Sequence, residues 1–514
     1  MQAKQLLRDV SFWGDSTSNV AATQTFKQLQ QIRPYYSLSP LMTDRYTVDK
    51  EGKQQQMLIS SRLINTKGLP GGANNWVNSH LVYTHGYGSV ISSVSETNQG
   101  MLQFIMGGVP PTVSKDTTST STGLTHLAKA QQKLYFGPGL TSYIITNTKL
   151  DEFNYPKTGS ASATNRAKNI VGVKFGGALR RVGWAIKYGS TKFLFSSYLK
   201  PDSVVVDNRD IVSRAKAIAP WFSYSNDPFS TIVDGHTYWI LDGYTTSSTF
   251  PYSQKLANGS DANGTDKGKN YVRASIKVVV DAETGETKLY AIGDDPIRDA
   301  WAKIFPTAIT PQSEIPKNLA AHFLYPRRAF NAQALTYLAY HITDPMTFYV
   351  QEDLWQVSKG ANGSNSAASY LMLADPEDSR QLRVHLMQTF SPVNTPNLIS
   401  LMTAGCDPNN YGGLTVYQLP KEHVTLSAMQ VNALINQDPT IAPQLALWKQ
   451  SSSNVTMGSM EILPVAGSIV YVQPVFLQAQ KNAVPQLVRV IVANGNKTAM
   501  GLTLDDALNA LNKK

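Results

Sequence analysis

The 514-residue sequence has a single cysteine, Cys406, so it can build neither an intramolecular disulfide framework nor a multi-cysteine metal site. That leaves open both a reducing compartment and an exterior domain that never relied on disulfides. No run approaches the roughly 18 consecutive apolar residues of a membrane-spanning helix, and the opening MQAKQLLRDVSFWGD lacks the apolar segment that directs export. As it stands, the chain is expected to be soluble. Charge is sparse: 16% of residues are Asp, Glu, Lys or Arg, and the bases behind the net charge of +10 are scattered, as at Arg180 and Arg181. A diffuse excess suits a solvated basic surface, or one near anionic lipid or wall polymers, better than a nucleic-acid stripe, so nucleic acid is not expected as a partner. Gly-x-Ser-x-Gly, Walker and dinucleotide fingerprints are missing; FGPG and VKFGG lack the spacing, and Cys406 in AGCDPNN has no local partner signature. Nucleophilic and nucleotide chemistry therefore have no motif, and no cofactor is implied.

What is present is mostly β texture. Segments such as QKLYFG, TSYIITNT, TKFLFSSYL, HTYWILDGYTT and SIKVVVDAETGETKLYAIG are short and rich in β-branched and aromatic residues, with Gly, Pro, Asn and Ser clusters between them. Polar stretches such as TVSKDTTSTSTG, KTGSASATNRAKN and QKLANGSDANGTDKGK read as exposed loops. The clearest hairpin runs from Ser275 to Asp281, turns through Ala282 to Gly285 and returns to Ile292. A first helix is expected with Phe26, Leu29 and Ile32 on one stripe, ending before Pro34. A last one is expected after Thr503 as N-cap, burying Leu504, Ala507, Leu508 and Leu511. The proline-spaced FPTAITPQSEIPKN suggests a boundary, giving a β-rich, mainly antiparallel part over 1–310 and a mixed part over 311–514, together an α+β protein. No repeat of fixed period is visible, which disfavours solenoids and propellers.

Three constellations carry candidate chemistry. HLVYTHGYG gathers His80, Tyr83, His85 and Tyr87 as a possible binding platform. The histidines, five apart, make no ligand pair in strand or helix, and no carboxylate lies between them, so a structural role is expected and no metal. In HTYWILDGYTT a strand would place His236, Tyr238, Ile240 and Asp242 on one face, able to line a cleft, while Asp234-Gly235 and Asp242-Gly243 read as turns. YHITDPMTFYVQEDLW holds His341, Asp344, Glu352 and Asp353, the densest His and carboxylate cluster and the candidate for acid/base work. Asp295 before Pro296 reads as a helix N-cap.

YTHGYG, with TFKQLQQIRPYY, DRYTVDKEGKQQQMLISSRLI, DPFSTIVDGHTYWILDGYTTSSTFPYS, YHITDPMTFYVQEDLW and CDPNNYGGLTVYQLPK, resembles Uncharacterised Protein Family 0182 of bacteria and archaea, from about residue 10 to 511. The resemblance implies an extracytoplasmic region whose anchor, about seven membrane helices, lies ahead of it; it carries no activity and no functional residues. Two motifs depart from the family pattern: Ala274 stands where an asparagine is usual in RNSVK, and Leu324, Arg327 and Arg328 replace an arginine and two acids in RYPEDLF. The expected function is an extracytoplasmic binding or interaction module of the cell envelope, with an envelope component or membrane protein as partner. The alternative is an envelope hydrolase using the His341 to Asp353 cluster, with or without a metal.

Overall fold

The computed structural model describes all of the chain except residues 1–6, 8, 15–19, 49–53, 115–123, 158, 160–161, 261–262, 375–380, 421, 451–452, 466 and 480–482, so parts of the expected polar loops lie outside the described residues. Its recurring unit is clearest around Asp234 and Gly235. Both have positive φ, 49° and 82°, as a two-residue hairpin turn requires, and Val233 faces His236 across it. The turn joins Phe229–Val233 to His236–Ser247, which pairs with Tyr271–Asp281, itself paired with Thr287–Ala291. Ser223–Tyr224 takes the far end of His236–Ser247, so the first strand is split, and Pro228, which has no N–H to donate, lies in the break.

The same split-edge meander occurs in three more sheets. The first is built on Tyr36–Leu38 with Met42–Thr47, then Gln54–Ile64, Ser89–Asn98 and Met101–Gly107, with Thr112–Val113 at its rim. The third uses Trp355–Val357 with Ser369–Ala374, then Leu382–Pro392, Ser400–Gly405 and Leu414–Gln418. The fourth uses Asn454–Met457 with Glu461–Val465, then Ser468–Gln478, Gln486–Asn494 and Lys497–Gly501. Helices precede each sheet: Val20–Gln30, Ile211–Ile218, Arg327–Tyr340, and the pair Ala428–Gln437 and Ile441–Gln450.

Alternate residues of one strand face different neighbours, and this shows how the sheets stack. Tyr370 and Met372 join Ile240 and Val279 of the second sheet, whereas Leu371 and Leu373 join Val472 and Val490 of the fourth. Leu63 and Ile64 of the first sheet pack with Trp239 and Val278 of the second. The circle closes where Leu58 and Val90 meet Phe476, against Trp13, and where the Leu487 N–H donates to the Gly100 carbonyl at 2.7 Å. The four sheets thus pack in a closed ring of the propeller kind, an arrangement that the absence of a fixed sequence period had disfavoured. First strands such as Phe229–Val233 are wholly buried, while the fourth strand Leu414–Gln418 has no buried residue, so the strands run from the axis outward.

The inner strands are held by polar contacts. Arg45 donates to the carbonyls of Cys406 at 2.8 Å and Phe323 at 3.2 Å, and lies 3.6 Å from Asp407, which also pairs with Arg383. Asp44 accepts from His322 at 2.8 Å. Burial pushes the Asp44 carboxyl up, but the charge and hydrogen bond of His322 outweigh it and hold the carboxyl below its ordinary value.

With antiparallel strand pairs and interspersed helices the protein is α+β. The division near residue 310 falls between the second and third sheets, whose side chains share one cluster: Ile240 and Tyr290 with Phe330 and Leu386. Three local expectations change. Leu29 and Ile32 are exposed and only Phe26 of that stripe is buried, because the helix ends at Gln30 and Ile32 turns with φ 66°. TKFLFSSYL forms the short helix Lys192–Phe195 instead of a strand. The final helix, Leu504–Asn512, starts at Thr503 with a capping box; Ala507 and Leu511 are buried, Leu504 and Leu508 partly.

Candidate binding cleft

HLVYTHGYG lies between the second and third strands of the first sheet, and its chemistry is spent inside the protein. His80 lies on a π-helical turn, Asn78–Val82, with Nδ1 2.8 Å from the Tyr143 carbonyl and its ring stacked on that tyrosine at 4.0 Å. Burial lowers its pKa. His85 is fully buried, with Nδ1 3.0 Å from Thr84 Oγ1 and 3.5 Å from Glu152, and Nε2 3.2 Å from Asn154 Oδ1. Glu152 also accepts from the hydroxyls of Thr84 and Tyr135, while buried Arg209 donates to the carbonyls of Thr84, Tyr135 and Ser142. Tyr83 stacks on Phe153 at 4.8 Å, and Tyr87 meets Tyr155 at 4.7 Å, its hydroxyl pushed up to about 12 by burial and by Tyr155. The two histidines have separate partners. Gly86 does not have positive φ; a Cβ there would lie 2.0 Å from the Arg62 carbonyl oxygen, so it is needed for close approach of two chain segments.

His236 and Tyr238 do line a cavity of about 240 Å³, with Asp234, Asp281, Glu286 and Lys288. Asp281 is engaged throughout: Oδ1 accepts from the amides of Glu283 and Thr284, and Oδ2 lies 3.0 Å from His236 Nδ1. Asp242 is outside this cavity. It is not a turn residue but sits mid-strand, bonded to the buried ammonium of Lys277. Asp295 is the N-cap of Pro296–Ile304, accepting from the Ile297 amide, as its sequence predicted.

The His341 to Asp353 segment does not assemble as a catalytic cluster. The His341 ring lies on Trp355 at 3.7 Å, and Asp344 caps Pro345–Val350 by accepting from the Thr347 amide at 2.7 Å. Glu352 follows that helix on the surface, and Asp353 is partly buried. No group of three or more His, Cys, Asp and Glu among the described residues is placed to hold a metal.

The larger hollows lie where helix Arg327–Tyr340 meets the second and third sheets. One, of about 470 Å³, is lined by Tyr252, Gln254, Lys269, Asn270, Tyr337 and Tyr340 among others. The other, of about 600 Å³, is lined by Arg273, Gln312, Tyr325, Asn409, Asn410 and Tyr411 among others. They share a wall of Tyr271, Val272 and Gln333, and the described residues lining both include no Asp or Glu. Tyr340 donates to Gln254 at 2.6 Å and Tyr325 to Gln333 at 2.9 Å. Burial and a hydrogen bond to Asp295 push the Tyr271 hydroxyl up to about 12, keeping it a neutral donor. The CDPNNYGG turn forms one rim, and Gly412 takes a φ of 75° there, the left-handed region that favours glycine.

Sequence reasoning missed this cleft because its members come from segments as distant as residues 252 and 413, each unremarkable alone. The departures from the family motifs were the available signal. Ala274 lines the larger hollow, and Arg328 has found an acid, gripping Asp266 through two nitrogens while its guanidinium lies 4.2 Å from the Tyr244 ring centroid.

Residues 3–448 match the family model described as Uncharacterised protein family (UPF0182). The chain is 39% identical over 493 residues to a UPF0182 protein of Methanospirillum hungatei, covering 95% of this chain and 53% of that protein. It is 37% identical to one of Sulfurovum sp. over 95% and 52% of the two chains. To one of Synechocystis sp. it is 35% identical over 98% and 50%. The chain thus spans about half the length of the curated relatives it matches. No solved structure matches it. On these matches, the chain belongs to the uncharacterised protein family UPF0182.

Proposed function

We propose that this chain is a binding module of the cell envelope, on the extracytoplasmic side, that holds a hydroxyl-rich anionic polymer in the cleft beside helix Arg327–Tyr340. The observation that carries the reading is the lining: tyrosines, Asn and Gln amides, Lys269 and Arg273, without a carboxylate among the described lining residues. Tyrosine faces pack against the C–H surfaces of a sugar or polyol, amides donate to and accept from its hydroxyls, and Lys and Arg attract acidic substituents. General acid/base hydrolysis of a polymer commonly uses paired carboxylates, which this lining does not supply. The greater length of the relatives is compatible with a tether beyond this region.

The test is titration of the purified chain with poly(glycerol phosphate) and with uncharged dextran. Saturable, salt-sensitive binding of the phosphate polymer, weakened at least tenfold by combining Tyr340→Ala with Arg273→Ala, is expected. Absence of binding, or binding indifferent to those changes, overturns the reading. A second reading, an envelope hydrolase, is favoured by the cavity that gathers His236, Asp281 and Glu286. It requires polymer cleavage that His236→Ala abolishes.

A further inference from the structure

Helix Ala178–Tyr188 has no buried residue. Its inward side rests on an aromatic cluster: Arg181 lies over the Phe175 ring at 5.0 Å, and Trp184 and Tyr188 pack with Tyr143 and Phe193. The opposite side carries Leu179, Val182 and Ile186, spaced three and four apart and therefore on one face, and they are 91%, 46% and 77% exposed. The next helix, Lys192–Phe195, packs beside it and leaves Phe195 81% exposed. Single exposed apolar residues are ordinary; an apolar helix face pointing at solvent with a phenylalanine beside it is not.

The charge around this face is one-sided. Residues 153–201 contain six lysines and three arginines and not one Asp or Glu. Asp151, Asp202 and Asp207 pair with Arg166, Lys200 and Lys187 respectively. Lys168, Lys174, Arg180 and Lys192 make no ion pair with the described residues. A face of bulky apolar side chains within a basic field is the composition of helices that lie in the headgroup region of an anionic bilayer, apolar side down.

We propose that Ala178–Tyr188 and Phe195 form a membrane-surface docking face that seats this region directly on an anionic lipid bilayer. Leu179, Val182, Ile186 and Phe195 enter the acyl boundary, and Lys174, Arg180 and Lys192 meet lipid phosphates. The site is separate from the Tyr and amide cleft and does not depend on its ligand. Its shelf is HLVYTHGYG: the His80 stack on Tyr143 supports the cluster under the helix, which gives that aromatic density a purpose.

The experiment is co-sedimentation of the purified chain with vesicles of equal phosphatidylglycerol and phosphatidylcholine, and with phosphatidylcholine alone, at low and high salt. Binding to the anionic vesicles that weakens with salt is expected, with at least a tenfold loss for Leu179→Asp combined with Ile186→Asp. A second variant, Lys174→Glu with Arg180→Glu, should lose binding with an unchanged far-ultraviolet circular dichroism spectrum, while Tyr340→Ala should bind vesicles normally. No sedimentation with anionic vesicles overturns the proposal, as does sedimentation that both double variants retain. A dimer in solution that Leu179→Asp dissolves, without vesicle binding, overturns it too, by assigning the face to a second copy of the chain.

Discussion

The surroundings of His85 and of Gln333 are built from similar side chains: tyrosines, amides and a guanidinium. They differ in where the polar groups are spent. Around His85 they serve the protein: Arg209 has three backbone carbonyls, Glu152 two hydroxyls, and Asn154 the imidazole. Around Gln333 the same chemistry lines open volume, with Tyr252 fully exposed and Tyr340 half exposed. A chemistry-rich stretch is therefore not yet a site. A buried network of this kind fixes two segments against each other, whereas a cleft leaves donors and ring faces for something else.

The strongest way to break the comparison is Arg209→Ala. It leaves the buried carbonyls of Thr84 and Tyr135, the Ser142 carbonyl and the Glu152 carboxylate without the cation, and should cost about 3–5 kcal/mol, as when one member of a buried charged network is removed. Urea unfolding would record it; a loss below about 1 kcal/mol would mean that the network is dispensable. Gly86→Val should follow, at about 1–3 kcal/mol, because the Arg62 carbonyl 2.0 Å from the new Cβ is backbone and can yield only by moving the strand.

These costs show what was legible in the sequence and what was not. Asp234-Gly235 was readable because a two-residue turn is local chemistry, and so were the Asp295 and Thr503 caps. The ring of four sheets was not, because the long second strands start at residues 54, 236, 382 and 468, and insertions of unequal length hide the period. The His341 to Asp353 segment shows a related limit: residues near in sequence take separate partners, His341 on Trp355 and Asp344 on a helix cap. Arg45 is the converse, a residue of the DRYTVDK stretch whose partners lie about 280 and 360 positions away.

Asp44 sharpens the comparison through pH. His322 holds its folded carboxyl below the ordinary value of about 3.9 despite burial, so its contribution is fully present above about pH 4 and is lost as pH falls through the lower folded value. Asp44→Asn should cost on the order of 1–3 kcal/mol at neutral pH. The gap between wild type and variant should close below about pH 4. A gap that stays constant to pH 2 would show that the carboxylate charge contributes nothing to the ring.

The smallest expected effect on stability is the most informative. Tyr252 and Tyr340 line the cleft from the surface, and among the described residues Tyr340 spends its hydroxyl on Gln254, itself a lining residue. Replacing either with alanine should change unfolding free energy by no more than about 0.5 kcal/mol, as for other exposed positions free of caps and buried partners. The cost should appear in binding instead: one aromatic face contributes about 0.5–1.5 kcal/mol beyond area burial, or roughly a two- to tenfold change in Kd for the phosphate polymer. If Tyr340→Ala destabilises the fold as much as Gly86→Val does, the cleft is a second structural network and the contrast with His85 disappears. If stability holds and affinity falls, the open tyrosines and amides are the part of this chain shaped for a ligand.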